Sequence, residues 1–174
     1  MSARVVVVVG NPKPASRTLT VAEAVATAAA EAAGLGGAAH VTLDLAELGP
    51  ELFDWSSERV RVAVDAVRHC TLAVVASPTY KASYTGLLKS FLDWFATTDL
   101  AGVVVVPVMV GAAPQHALAV EVHLRPVLVE LGATLPTRGL YVMESQLADL
   151  DAVVAAWAEE AGPRLRAAVR GPDT

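Results

Sequence analysis

Runs of residues with no polar position alternate along this chain with segments whose apolar positions recur every three or four residues. Residues 5–9 are five consecutive valines. β-Branched side chains without polar alternation fit a strand covered on both faces, as in a parallel sheet. Residues 72–77 and 103–110 repeat that pattern, and residues 135–142 read as a further strand. Residues 40–45 differ, because Val41, Leu43 and Leu45 alternate with Thr42 and Asp44, which suits a short strand near a sheet edge. Pro107 is awkward in a central strand, and a bulge is expected there. Between the strands lie helical patterns. An alanine-rich segment capped by Ser16 or Thr18 runs to about Ala33 and is ended by Gly34, Gly36 and Gly37. Residues 57–68 carry Val60, Val64 and Val67 at helical spacing, after an irregular loop over residues 47–56. Residues 84–95 place Leu87, Leu88, Phe91, Leu92 and Phe95 opposite Lys89, Ser90 and Asp93. Residues 114–131 form another helix. Leu147, Leu150, Val154, Trp157, Ala161 and Leu165 mark a last one, with a kink expected at Gly162-Pro163.

The resulting order is β-α-β-α-β-α-β-α-β-α. Strands alternating with helices imply a parallel sheet, right-handed crossovers and helices on both faces. Five strands in this length fit an α/β, flavodoxin-like three-layer sandwich with strand order 2-1-3-4-5. No repeat or long linker divides the chain, so residues 1–174 are expected to form one domain, with 170–174 as a loose tail.

Composition narrows the classes. Of 174 residues 54% are hydrophobic and 18% charged, which excludes a disordered chain. Thirteen Lys and Arg stand against 18 Asp and Glu, a net charge of −5, and no basic run offers nucleic acid a phosphate-binding face. No apolar stretch reaches the roughly 18 residues of a membrane span, and no secretory signal is evident, so a cytoplasmic protein is expected. Cys70 is the only cysteine. It forbids an internal disulfide and reads as an inert buried thiol. His40 and His69 lack metal spacing, and no metal is expected. Trp94 and Trp157 read as packing residues, whereas Phe53 and Trp55 cover either the core or a neighbouring subunit's site.

In open parallel sheets, ligands bind beyond the carboxyl ends of the strands, at the switch in strand order. That directs attention to residues 10–17, 77–85 and 111–116. The first loop leads into a helix N-terminus, whose free amides and dipole favour an anion. Ser16 and Thr18 offer hydroxyls, and Arg17 can pair with a dianion. A helix cap beside a surface arginine explains the same residues. The loop is neither a Walker loop nor a dinucleotide-binding fingerprint. In the second loop Pro78 and Tyr80 supply stiff apolar walls for a flat heteroaromatic ring. The alternative is a proline-stiffened turn capped by Ser83 with both tyrosines half-buried. The third loop is small and flexible and can aim backbone donors at a ring's polar edge.

Three segments carry a resemblance. Gly10-Asn11-Pro12-Lys13-Pro14-Ala15-Ser16-Arg17-Thr18 resembles the G-S/N-P-x-x-x-S-R-T phosphate loop of the NAD(P)H-dependent FMN reductases. Ser77-Pro78-Thr79-Tyr80-Lys81-Ala82-Ser83-Tyr84-Thr85-Gly86-Leu87-Leu88-Lys89 resembles that family's P-x-Y-x-x-S-x-x-G-x-L-K segment. Residues 118–121 and 125–128 are similar to the sulfonate-starvation branch, whose members feed reduced flavin to alkanesulfonate monooxygenases. The resemblance implies an enzyme that transfers hydride from NADPH or NADH to FMN and supplies a flavin-dependent monooxygenase partner. It implies that Asn11, Ser16, Arg17 and Thr18 hold the FMN phosphate end. Pro78, Thr79, Tyr80, Lys81 and Ser83 hold the isoalloxazine, and Gly111, Ala112 and His116 close its other edge. Such a reaction needs stacked rings more than acid–base groups, so no catalytic side chain is expected.

Two readings stay open beside it: an FMN-bound reductase of quinones, azo dyes, nitro compounds or chromate, and a non-enzymatic flavin-binding electron carrier. Pro126 removes a backbone donor from the 114–131 helix, so a kink or π-bulge is expected near Val122 and His123. Val122 stands about where the sulfonate branch is familiar with a tyrosine. The apolar faces of residues 86–95 and 114–131 predict a homodimer or homotetramer.

Overall fold

The computed structural model describes residues 4–171. Its five strands form one parallel sheet: β1 (Arg4–Val9), β2 (Ala39–Asp44), β3 (Leu72–Pro78), β4 (Val104–Gly111) and β5 (Leu140–Met143), in the order β2-β1-β3-β4-β5. The helices are α1 (Arg17–Ala33), α2 (Glu58–Arg68), α3 (Gly86–Leu92), α4 (Arg125–Glu130) and α5 (Leu150–Arg170). The chain has the expected flavodoxin-like architecture.

The valine run shows why. Val5, Val7 and Val9 pack with α1 and α5, whereas Val6 and Val8 pack with α2, α3 and the α4 segment. All five are buried, so one strand seeds both cores. Burying a valine side chain contributes about 1.5–3 kcal/mol, which makes this strand the anchor of the three layers. The alternating 40–45 segment lies at the sheet edge as expected, ending at Asp44, with Leu45 buried in the turn that follows. Most of the loop at 47–56 winds into tight 3-10 turns over Leu45–Glu47 and Gly49–Phe53.

Pro107 makes no bulge. The β3–β4 register runs unbroken through Val75 opposite Pro107. Val104 N–H bonds toward β3, at Thr71 O, and Val105 N–H toward the β5 side, at Thr134 O. Alternation therefore turns Pro107's donorless nitrogen toward the β5 side. There the ladder exists only as a bridge at Thr134 until it begins at Leu140, opposite Val108. The expected strand over 135–142 is confined to Leu140–Met143, because the Arg125 and Glu121 side chains take the carbonyls of Leu135 and Thr137 and the N–H of Gly139.

Other boundaries move too. The 84–95 helix is regular only over Gly86–Leu92, capped by Thr85. Residues 114–131 are not one helix: a tight turn at Pro114–His116 is followed by a π turn at Val120–Leu124 and then α4. The irregularity expected around Val122 and His123 is that π turn. The last helix begins at Leu150, after a 3-10 stretch over Glu144–Asp149, and continues through Gly162 and Pro163 to Arg170 without a break. Arg170 thus belongs to α5 rather than to a tail, and residues 172–174 of the expected tail lie outside the described residues.

Glu121 fastens the π turn to β5. Its carboxylate accepts from Arg125 Nε at 2.5 Å and from Gly139 N–H at 2.5 Å. Burial acts to raise its pKa, but those bonds and the charges of Arg125 and Arg138 outweigh it, so Glu121 titrates below its ordinary 4.5. A carboxyl depressed by folding stabilises the fold above its unfolded pKa and loses that contribution as pH falls through the folded value. Acid unfolding followed by circular dichroism should therefore be steeper for wild type than for Glu121→Gln below pH 4.5. Parallel curves would contradict this fastening role.

Candidate functional site

The first loop is built by its own side chains. Asn11 Oδ1 accepts Lys13 N–H at 2.9 Å, and Asn11 Nδ2 donates to Thr18 Oγ1 at 3.0 Å. Both residues are buried, so Asn11 and Thr18 brace the loop from within. Ser16 has extended backbone and caps α1, its Oγ accepting Leu19 N–H at 3.3 Å. The first backbone bond of the helix joins Thr20 N–H to Ser16 O at 3.2 Å. The amides of Arg17 and Thr18 precede it and meet no acceptor among the described residues. They lie at the positive end of a 17-residue helix, where an anion is favoured. Ala15, at φ +49°, turns its N–H onto Asp44 Oδ2 at 3.1 Å.

Arg17 itself is engaged elsewhere. Both of its terminal nitrogens lie 3.1 Å from the two carboxylate oxygens of Glu144, just past β5. The expected phosphate-binding side chain is thus neutralised in a forked pair on the surface.

The second loop is a strained turn. Tyr80 and Ser83 exchange N–H···O bonds of 2.8 and 3.1 Å, and between them Lys81 and Ala82 sit at φ +51° and +65°. Two-residue turns of this kind favour Asn and Gly, and non-glycine residues at positive φ cost roughly 1–3 kcal/mol each and cluster at functional sites. Tyr80, Lys81 and Ala82 are exposed, while Ser83 and Tyr84 are half-buried. Ser83 caps nothing. Instead Thr85 Oγ1 accepts Leu88 N–H at 3.1 Å and donates to Gly10 O at 2.5 Å, and Ser77 Oγ accepts Thr85 N–H at 3.0 Å. The first two loops are therefore tied directly together.

The third loop joins them. Thr79 N–H donates to Val110 O at 2.7 Å. A Cβ on Gly111 would collide with the Tyr141 hydroxyl and stand 3.0 Å from Thr79 Oγ1. Tyr141 Oη donates to Ala113 O at 2.8 Å and so steadies the segment carrying exposed Ala112. His116 is half-buried at the end of the next turn. Thr79 Oγ1 is buried without a partner, an orphan beside Gly111. Pro78 ends β3 fully inside the sheet.

The structure thus gathers the sequence-predicted residues of all three loops at one edge of the sheet. Several contributors were not singled out by sequence reasoning. Gly10, Ser77 and Thr85 lie within the motif segments, but their role is to tie loops together. Asp44, Tyr141 and Glu144 carry no local signal, because they reach the site only through tertiary contacts. Cys70 and Trp94 pack against the core, as the sequence suggested. Cys70 is buried, and burial pushes its thiol up to about 12. Trp94 donates its indole N–H to Leu52 O at 2.9 Å and packs against exposed Trp55, the ring centroids 4.7 Å apart and the planes tilted by 36°. Among the described residues no cluster of His, Cys, Asp and Glu could hold a metal, and no helix is long and apolar enough to cross a membrane.

The chain resembles known proteins in both sequence and structure. A solved structure described as the apo form of an NADH:FMN oxidoreductase (EMOB) superposes with a TM-score of 0.81 at 32% identity, over 94% of this chain and 88% of that one. An FMN reductase (NADPH) from Escherichia coli K12 is 35% identical over 95 residues, 55% of this chain and 50% of the relative. In that alignment the chain spans about half the length of its curated relative. An NADH-dependent FMN reductase, SfnE, from Pseudomonas putida is 31% identical over 154 residues, 83% of this chain and 79% of the relative. Residues 3–148 match the family described as NADPH-dependent FMN reductase, and the chain belongs to that family.

Proposed function

We propose that this chain is a flavin reductase that transfers hydride from NADPH or NADH to FMN and releases reduced FMN to a flavin-dependent monooxygenase. One observation carries the reading: the bonds from Thr85 to Gly10 and from Thr79 to Val110 lock three loops into a single edge with open α1 amides at one end. The residues fit FMN. The Arg17 and Thr18 amides and the Ser16 hydroxyl suit a phosphate dianion. The exposed 80–83 turn offers a face for a flat ring, and the orphan Thr79 hydroxyl lacks the partner that a polar ring edge would offer. When bound, FMN supplies the hydride-accepting chemistry. The chain's own part is to fix the phosphate end, support one ring face with the exposed Tyr80, and aim the amides beyond Gly111 at the ring's polar edge. Fixed dipoles of that kind stabilise developing negative charge without reorganisation. No side chain is assigned an acid–base role.

The test is anaerobic oxidation of each nicotinamide with and without added FMN. FMN-dependent oxidation is expected; its absence with both nicotinamides would overturn the reading. A cytoplasmic location goes with it, since reduced nicotinamide is a cytoplasmic reductant.

Self-association belongs to the same proposal. The apolar face of α3 is already spent inside the subunit, with Leu88, Phe91 and Leu92 buried. The other face is not: Leu118 just before the π turn, Val122 within it and Val129 in α4 are 69%, 57% and 56% exposed. An apolar stripe of this kind favours a homodimer or homotetramer. Light scattering at micromolar concentration should give a multiple of the chain mass, and Val122→Asp should shift it toward the monomer.

A further inference from the structure

The Arg17–Glu144 pair joins residues 127 positions apart, and it connects the start of α1 to the segment after β5. It sits where the family reading, on which this inference rests, needs Arg17 for the FMN phosphate. We propose that Glu144 is an affinity-setting residue: it competes with the flavin phosphate for Arg17 and keeps FMN exchangeable. Three observations carry this. The pair is a symmetrical fork, both nitrogens at 3.1 Å, so the Nη1/Nη2 edge, the one that would grip a phosphate bidentately end-on, is taken by Glu144. The pair is also exposed, 66% for Arg17 and 40% for Glu144, so water and salt weaken it and a dianion can displace the carboxylate. Finally, the loop already faces a second carboxylate, Asp44, on Ala15 N–H. Asp44 thus takes one amide of the loop, while the amides of Arg17 and Thr18 are left without an acceptor among the described residues.

Such an arrangement separates two roles that a stronger site would merge. The α1 amides register the phosphate, while Arg17 can turn its Nη1/Nη2 edge to it only by leaving Glu144. Part of the binding free energy is therefore used to break the pair, and the bound flavin leaves faster than it otherwise would. That suits a protein whose product must diffuse to another enzyme.

The experiment measures dissociation constants for FMN and for riboflavin, which lacks the phosphate, from the quenching of flavin fluorescence. Wild type, Glu144→Gln, Arg17→Ala and the double variant are compared, with Glu31→Gln as a control for net charge about 21 Å further along α1. Glu144→Gln should tighten FMN about three- to five-fold, the range expected from an exposed pair. It should leave riboflavin unchanged. In the Arg17→Ala background the same substitution should have a markedly smaller effect, and Glu31→Gln should have none. If wild type binds FMN but Glu144→Gln does not tighten it, or shifts riboflavin equally, the latch is wrong and the FMN reading stands. If wild type quenches neither flavin, both fall together.

Discussion

Gly10→Ala is expected to melt well below wild type and to bind FMN more weakly. A Cβ on Gly10 would stand 2.5 Å from Leu88 Cβ and 3.2 Å from Leu88 Cα. Neither atom can retreat easily. Leu88 is fully buried, and its N–H is held by Thr85 Oγ1, the same hydroxyl that donates to Gly10 O. Relief requires the first turn of α3 to move off the loop that precedes α1. Overpacking of this kind costs about 1–3 kcal/mol. In a chain of this size each kcal/mol lowers Tm by about 2–4 °C, so a fall of roughly 2–12 °C follows. The ligand effect has the same origin, because the displaced contact sets the spacing between the phosphate end and the ring shelf. Gly36→Ala is the control: nothing lies within 4 Å of its Cβ position and its φ is ordinary. Equal melting temperatures for the two variants would mean that the close approach of the loops is not what fixes this edge.

The parts of this fold that were legible in the sequence are those decided locally. Five consecutive valines need two covered faces, and they have them. Ser16 and Gly34 bound α1 because a cap hydroxyl and a left-handed glycine act within one turn of where they stand. The π turn was foreshadowed by Pro126, whose missing donor disturbs the helix one turn upstream. What was not legible depends on neighbours far along the chain. Pro107 read as a flaw because the sequence does not say which side of β4 its nitrogen faces. In the sheet it faces the gap before β5, where no ladder bond is lost. Residues 135–139 read as part of a strand, although Pro136 and Gly139 disfavour one; in the fold Glu121 takes the Gly139 N–H and Arg125 donates to the carbonyls of Leu135 and Thr137, so side chains claim the groups a ladder would use.

The site divides in the same way. By residue type alone the first and second loops are candidates for an anion and a flat ring, beside a plain helix cap and a proline-stiffened turn, since caps, prolines and small residues serve either purpose. The state of Arg17 was hidden, because Glu144 is adjacent to it only after β5 and α1 have been brought together. Positive φ at Lys81 and Ala82 was hidden as well: neither residue advertises a left-handed turn, and the surrounding bonds impose it.

That imposed geometry leads to Thr79→Val, which is expected to change stability and binding in opposite directions. Thr79 Oγ1 is buried and has no hydrogen-bond partner, while its backbone N–H is held by Val110 O. A buried polar group left unpaired costs about 1–3 kcal/mol, and valine keeps the shape while removing the polarity. The ligand-free variant should therefore be more resistant to urea than wild type, by an amount in that range. If the hydroxyl is kept for flavin, the same change should weaken FMN by about tenfold, the equivalent of one hydrogen bond of about 1.4 kcal/mol. Riboflavin should suffer equally, since the lost contact is to the ring and not the phosphate; this separates Thr79 from Arg17 and Glu144. A variant that is less stable and binds both flavins normally would show that the hydroxyl serves the fold alone, and the second loop would then lose its claim to the ring's polar edge.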